Sequence, residues 1–188
     1  AKSGKRILLI DGDLRKPDIA YMLKLKYSVN CLKEVIRGRK PEDVICTTSV
    51  SGLDVLPSLH CSKSNICNLL TKAGTKNLIK SLSEKYDHVI IDSPPILAVP
   101  DALLWAKMVD GIVLTSFAGY TEAPDLKETI NRLKDVNVKI FGTVLNNVKH
   151  ESSYYRYGYG YMANISSGKS SSKNKNKIVL PVKRRKSD

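Results

Sequence analysis

The sequence predicts an α/β protein, with a twisted parallel sheet and helices on both of its faces in three α/β/α layers. Apolar runs of strand length recur along the chain, and they are continuous, as parallel strands buried on both faces usually are. Segments of helical length separate these runs, so strands and helices alternate with right-handed crossovers. Two of the runs end in aspartate. Functional groups of such sheets gather at the carboxyl ends of the strands.

The alternation predicts five strands, at residues 6–11, 53–57, 88–92, 111–116 and 140–146. Three stretches between them predict helices, at residues 77–86, 101–110 and 123–136. The run RILLID is the clearest strand and LDVLP the weakest. The first helix precedes the strand HVIID, the second follows it, and the third precedes the last strand. The pattern stops after Asn147.

The positive charge of the chain is concentrated at its C-terminal end. Residues 163–188 contribute +7 of the formal net charge of +13. The Ser, Lys and Asn residues at 166–177 cannot bury enough apolar surface to fold, so we predict a disordered C-terminal tail. A charge held mainly in a tail argues against a nucleic-acid-binding domain.

The cysteines, the apolar runs and the first residues indicate the redox state, the solubility and the starting point of the sequence. Four cysteines form no CxxC pair and have no histidine at metal-ligand spacing, which favours reduced thiols in a cytoplasm. No apolar run approaches the ~20 residues of a membrane span, and no signal peptide opens the chain, so we expect a soluble protein. Because AKSGK resembles a helix end with Gly4 at the C′ position, we expect the sequence to start partway into a domain.

Three aspartates stand at the carboxyl ends of two predicted strands. Asp11 and Asp13 follow one apolar run, and Asp92 ends another. If the two strands are neighbours, the carboxylates converge, and Mg²⁺ with phosphate oxygens is the usual compensation for such charges. Asp11 or Asp13 could equally cap a helix after Pro17, and Asp92 could cap the turn before Ala98. The two strand ends together favour a functional site.

Four segments of the chain carry a family resemblance. ILLIDGDLRKP resembles the motif hhhhDxDLRxP of bacterial tyrosine kinases, in which h is apolar, and VIIDSPPILAVPDALLWAKMVDGIVL resembles their Walker B strand together with the segment after it. GTVLNNV resembles the strand before their tail, and YYRYGYGY resembles their C-terminal tyrosine cluster. Members of that family are cytoplasmic kinases of capsular and exopolysaccharide synthesis, built on a P-loop ATPase fold.

The resemblance implies a site for ATP and Mg²⁺. Asp11, Asp13 and Asp92 would be the catalytic residues and would hold Mg²⁺ on the β- and γ-phosphates, directly or through waters. Asp11 or Asp13 would also draw the proton from the incoming tyrosine hydroxyl. Phosphoryl transfer depends mainly on neutralising charge and on in-line positioning, so few other groups are needed.

Three further polar residues have open interpretations. Arg15 could neutralise phosphate or join a subunit contact, the alternative being a surface cation beside the acidic pair. Asn146 falls where related ATPases place an adenine-contacting side chain, or else it forms a turn. We expect Asp101 to be a helix N-cap rather than a site residue.

The chain differs from the family pattern at the Walker A loop and at Asn68. The Walker A loop, expected about twenty residues before RILLID, is not present. Without its lysine and its backbone N–H groups ATP would lose most phosphate contacts, so we expect the fragment alone to be inactive. Asn68 also stands where an acidic residue of a proline-rich PPNPxEL segment is usual. The predicted domains are a partial kinase catalytic domain that lacks its first strand and Walker A loop, a tyrosine cluster and a basic low-complexity tail, at residues 1–148, 149–162 and 163–188.

Five of the nine tyrosines lie within eight residues, at Tyr154, Tyr155, Tyr157, Tyr159 and Tyr161. An edge strand is one interpretation, although Gly158 and Gly160 weaken any strand. A sticky low-complexity tract is another. The third, favoured beside the DxDLR motif, is a mobile substrate segment whose hydroxyls enter a neighbouring active site. We therefore predict autophosphorylation of these tyrosines in trans.

The resemblance also implies partners and a location. Kinases of this kind work with a transmembrane activator or chain-length regulator, separate or fused, and a cognate tyrosine phosphatase reverses them. Homo-oligomeric rings would form through the tyrosine tails, at the cytoplasmic inner face of the plasma membrane. The basic tail could be solvated, touch anionic lipid or fold back on phosphorylated tyrosines. We expect no nucleic-acid partner.

The predicted function is that of an ATP-dependent protein-tyrosine autokinase regulating capsular or exopolysaccharide synthesis and export. A switch ATPase of the partition or septum-site kind is the alternative, which explains the aspartates but not the clustered tyrosines. A phospho-acceptor receiver domain and a binder of acidic polymers explain less of the sequence.

Overall fold

The computed structural model describes residues 1–25, 31–59 and 63–148. These ranges contain six strands, six helices and one 3₁₀ turn at Pro41–Asp43. The strands are β1 (Ile7–Asp11), β2 (Cys46–Thr47), β3 (Leu53–Leu56), β4 (His88–Asp92), β5 (Ile112–Phe117) and β6 (Ile140–Asn146). The helices are α1 (Ile19–Met22), α2 (Leu32–Ile36), α3 (Lys63–Leu70), α4 (Ala73–Lys85), α5 (Asp101–Ala106) and α6 (Ala123–Asp135).

All five predicted strands form, each end within one residue of its prediction. The helix predicted at 123–136 ends one residue early, and the other two predicted helices differ by four residues at one end. α4 begins at Ala73, four residues early, and Thr75 in its first turn is buried with its hydroxyl donating to the Leu69 carbonyl at 2.8 Å. α5 ends at Ala106, because residues 107–110 turn towards β5. The pattern did not predict β2, α1, α2 or α3, which have two to eight residues and are too short to show a clear period.

The strands form two sheets. In the first sheet the order is β2-β3-β1-β4; β1 is parallel to β3 and to β4, and β2 is antiparallel to β3. In the second sheet β5 and β6 are parallel. Within the described ranges, β4 and β5 each keep one edge without a strand partner. The predicted parallel α/β class is confirmed, with one short antiparallel strand added.

The hydrophobic core lies around the first sheet. Leu8 and Ile10, on one face of β1, have no exposed surface, and Ile7 and Asp11 on the other face are buried as well. β1 is therefore covered on both faces, as predicted. The core cluster draws most of its other buried residues from β3 and from α2 to α5, among them Leu32, Leu56, Ile66, Leu82 and Trp105.

The second sheet is covered less. Phe117, Phe141 and Leu145 expose between 41% and 58% of their surface. In the described ranges, no helix combines the length and the apolar character that crossing a bilayer requires. The tyrosine cluster and the basic tail lie outside the described residues, so the predictions made for them stay predictions.

Candidate active site

The carboxyl ends of β1 and β4 lie side by side. Asp11 and Asp92 are register partners on the two parallel strands, and Asp13 follows two residues after Asp11. The condition on which the predicted site depended, that the two strands are neighbours, is therefore met.

Asp11 is the buried member of the three aspartates. Its carboxylate is 1% exposed, and its Oδ2 accepts the Ile19 N–H at 3.2 Å. It therefore holds the first residue of α1, so the N-cap interpretation is partly right. Its Oδ1 is buried and has no hydrogen-bond partner among the described residues.

Burial raises the pKa of Asp11 to about 6, with the negative charges of Asp92 and Asp13 adding to the effect. The backbone N–H groups of Ile19 and, less strongly, of Asp13 lower this pKa. A carboxyl that is costly to ionise and has an unpartnered oxygen is suited to a nearby cation, which would favour its charged form.

Asp13 and Asp92 are more accessible. The Oδ1 of Asp13 accepts the N–H groups of Arg15 at 3.0 Å and of Lys16 at 2.9 Å, which closes the turn after β1. Asp92 is exposed at the end of β4. Both side chains can meet a ligand that approaches this edge of the sheet.

The donor set fits a magnesium ion that is held largely by its nucleotide and by water. In the part of the chain that the structure describes, no three His, Cys, Asp or Glu side chains are grouped closely enough to hold a metal ion. Mg²⁺ typically takes one or two carboxylates and completes its octahedron with water and phosphate oxygens. The unpartnered Oδ1 of Asp11 fits such a ligand position. That Asp11, Asp13 and Asp92 act together on one ion stays a prediction.

Gly12 and Trp105 belong to the site although the sequence did not single them out. The Gly12 N–H donates to the Asp92 carbonyl at 2.8 Å, and the Trp105 Nε1–H donates to the Gly12 carbonyl at 3.0 Å. A Cβ on Gly12 would lie 2.5 Å from the Asp92 oxygen and 2.7 Å from Cγ2 of Ile91, so a side chain there requires the strand ends to separate. A glycine between two aspartates and the single tryptophan of the chain were the available signals.

Arg15 and Asp101 form a two-point ion pair. Arg15 Nε lies 2.6 Å from Asp101 Oδ2, and Arg15 Nη2 lies 2.9 Å from Asp101 Oδ1. Asp101 is the first residue of α5 and is 1% exposed, whereas Pro100 is the cap residue. The expectation that Asp101 is an N-cap is therefore wrong. The phosphate contact predicted for Arg15 stays a prediction.

Asn146 lies on the second sheet, at the exposed end of β6. Its Oδ1 accepts the N–H of Asn147 at 3.0 Å, and its carbonyl accepts the Ala118 N–H at 2.9 Å. Asn147 itself has a left-handed backbone, with φ of 56°. Asn146 thus takes part in a turn, and its predicted contact with adenine stays a prediction.

A largely parallel α/β sheet with carboxylates at the ends of adjacent strands places this chain in the class of α/β proteins that bind ligands at the carboxyl ends of their strands. Residues 1–141 match the family described as an AAA domain. Tyrosine-protein kinase ptk of Acinetobacter johnsonii is 38% identical over 82% of this chain and 21% of its own length. The putative tyrosine-protein kinase CapB of Staphylococcus aureus is 32% identical over 84% of this chain and 70% of its own.

Solved structures agree with these sequence relatives. The kinase domain of the Escherichia coli tyrosine kinase ETK is 31% identical with a TM-score of 0.74, over 84% of this chain and 62% of that one. The chain belongs to the family of bacterial tyrosine-protein kinases. It spans about a fifth of the length of the Acinetobacter relative.

The septum-site protein MinD of Pyrococcus horikoshii, solved with Mg-ADP, is also similar. Its TM-score is 0.64 over 80% of this chain and 61% of that one, and the two sequences are 22% identical. This likeness shows a common fold.

Proposed function

We propose that the parent protein of this chain is an ATP-dependent tyrosine autokinase that phosphorylates its own cluster at residues 154–161 in trans. Its role would be to regulate capsular or exopolysaccharide synthesis and export. The observation that carries the proposal is the register of Asp11 with Asp92 beside an unpartnered, buried Asp11 Oδ1. Family membership and the clustered tyrosines support it.

The three aspartates would have different roles in binding Mg²⁺ and accepting the proton, according to their exposure. Bound Mg²⁺ and ATP would supply the phosphoryl group and the neutralisation of its charge. Asp11, whose buried Oδ1 has no hydrogen-bond partner among the described residues, would bind Mg²⁺. Asp92 would add a second carboxylate to the same site. Asp13 is half-buried at the rim, and its Oδ1 is engaged by backbone N–H groups. It would accept the proton of the tyrosine hydroxyl as that oxygen attacks the γ-phosphorus and ADP leaves.

The open sheet edges support a further strand in the parent protein. β4 and β5 are apolar strands, yet most of their residues are only half-buried, and each has one unpaired edge in the described ranges. Central parallel strands are normally buried on both faces. We propose that an upstream segment supplies this strand together with the Walker A loop, and that the 188 residues alone do not transfer phosphate.

The proposed partners are a transmembrane activator, further copies of the protein in a ring, and a tyrosine phosphatase. The domain matches 21% of one relative and 70% of another, so it occurs in proteins of very different length. This supports an activator that is fused in some members and separate in others. The proposed location is the cytoplasmic face of the plasma membrane.

The test uses the chain extended by its upstream region and incubated with Mg-ATP, followed by mass-spectrometric mapping of phosphotyrosine. We expect phosphate within residues 154–161, and its loss in Asp13→Asn and Asp92→Asn. Asp135→Asn, at the exposed end of α6, is the matched control and should keep wild-type phosphorylation. ATP hydrolysis without phosphotyrosine in the wild type would overturn the kinase and favour the switch ATPase.

A further inference from the structure

We propose that Arg15 and Asp101 are positioning residues. Their ion pair holds the loop after β1 against the start of α5, and so sets the position of Asp13 relative to Asp92. The proposal rests on the proposed magnesium-nucleotide site, and it assigns to Asp101 a role in building that site.

The ion pair between Arg15 and Asp101, called the brace below, has a fixed geometry. Two nitrogens of one planar guanidinium meet both oxygens of one carboxylate, at 2.6 and 2.9 Å. Such a fork fixes orientation as well as distance, which a single point contact does not. The partners are 86 positions apart in sequence, so the pair ties two separate parts of the chain.

Each end of the brace is coupled to a catalytic aspartate. The backbone N–H of Arg15 donates to Asp13 Oδ1 at 3.0 Å, so movement of Arg15 moves the turn that presents Asp13. On the other side Asp101 follows Asp92 through the segment SPPILAVP, which contains Pro94, Pro95 and Pro100. Proline restricts φ, so this short connection is stiff. The position of α5 is therefore transmitted to the end of β4.

Two neutral hydrogen bonds run beside the charged one. Gly12 N–H to the Asp92 carbonyl joins the strand ends directly, and Trp105 Nε1–H to the Gly12 carbonyl joins α5 to the same loop. Arg15–Asp101 is the only ion pair among these three ties. It secures the outer end of the loop, three residues beyond Gly12.

The burial of Asp101 favours keeping Arg15 in this contact. Asp101 is 1% exposed, and its Oδ1 also lies 3.9 Å from the Cys67 Sγ. If Arg15 turned away to a phosphate, a buried carboxylate would lose its cation, which is strongly unfavourable. The brace therefore explains Arg15 better than direct phosphate binding does.

The experiment compares Asp101→Asn, Arg15→Lys and the double variant in the upstream-extended protein. The first measurement is the Mg²⁺ concentration that gives half-maximal ADP binding in calorimetry. We expect each single variant to raise it by a similar factor, on the order of 10- to 100-fold, since mutating residues that orient metal ligands lowers metal affinity by that much. The double variant should lose no more than either single one, because the pair is broken only once.

The second measurement needs no nucleotide. It is the NMR signal of the Trp105 indole N–H, assigned with Trp105→Phe, which reports the bond to the Gly12 carbonyl. We expect both single variants to shift it. Tyr86→Phe is the matched control, because it removes a part-buried 3.0 Å hydrogen bond to Asp54 at the amino end of the same sheet. That variant should leave both the indole signal and the Mg²⁺ requirement unchanged.

Two results would overturn the brace. One is an unchanged indole signal in both single variants. The other is weaker ADP binding in Arg15→Lys with wild-type binding in Asp101→Asn, which would make Arg15 a phosphate ligand. A wild-type protein that binds Mg-ADP but forms no phosphotyrosine would overturn the kinase proposal and leave the brace standing.

Discussion

The two sheets contain similar strands in different surroundings. β1 and β6 are both mainly apolar, yet Leu8 has no exposed surface whereas Leu145 is 58% exposed. β1 lies between β3 and β4 and is buried on both faces, while β6 pairs with β5 alone. Apolar burial contributes about 25 cal/mol per Å². The first sheet is thus stabilised by its own core, and the second gains much less from burial.

This difference bears on the active site, because the aspartates and the proposed adenine contact lie on different sheets. Asp11 and Asp92 stand on the sheet with the core, and Asn146 stands on the other. The proposed metal-binding half of the site therefore stands on the sheet that has its own core within this chain. The proposed nucleotide-base half stands on the less covered sheet.

The largest expected contrast is between Leu8→Ala and Leu145→Ala. Leu8→Ala should lower the free energy of unfolding of the 188-residue chain by about 2–5 kcal/mol, through lost burial and a cavity. Leu145→Ala should change it by less than about 0.5 kcal/mol, as exposed substitutions do. Urea unfolding followed by Trp105 fluorescence, with circular dichroism in parallel, measures both. Equal losses would show that the two sheets share one core after all.

A second expected effect concerns the charge buried in the first sheet. Below pH 3.8 Asp11 is protonated in both the folded and the unfolded chain, so Asp11→Asn should be nearly neutral there. Between 3.8 and about 6 the folded chain holds the proton more tightly, so wild-type stability falls as pH rises. Above about 6 the cost of the charge is complete. Asp11→Asn should then be more stable by up to about 3 kcal/mol, given 1.36 kcal/mol per pKa unit.

Urea unfolding at about pH 3.5 and about pH 7.5 without Mg²⁺ checks this pH dependence, with Asp135→Asn as the control. The same Asp11→Asn protein, extended upstream, should lose Mg²⁺-dependent ADP binding. A stabilisation of equal size at both pH values would contradict the role given to the Asp11 charge.

The smallest expected effect is in α6, beside the second sheet. Arg132 Nε lies 2.8 Å from Glu128 Oε1 one helical turn away, and both side chains are exposed by 42% or more. Glu128→Gln should cost only about 0.3–0.5 kcal/mol and become neutral in 1 M salt, as exposed pairs do. Thermal unfolding at low and high salt measures it. A loss that persists in 1 M salt would contradict the assignment of this pair as a solvent-screened surface contact.

The elements that the sequence predicted well have a long, uniform local signal. The strands at 88–92 and 140–146 have the predicted bounds, because each is a mainly apolar run of strand length that is flanked by polar residues. The aspartates were found because they follow such runs directly. α1 and β2 could not be found in this way, since four and two residues hold no periodic pattern.

The sequence by itself determined the α/β class, the strand positions, the acidic strand ends and the tyrosine cluster, all of which are patterns among neighbouring residues. Tertiary structure decided that Asp11 faces Asp92, that Gly12 lies under the Trp105 indole and that Asp101 holds Arg15. These contacts join residues 81 to 93 positions apart. No local propensity encodes them, because they depend on which strands become neighbours and on which charges the folded chain removes from water.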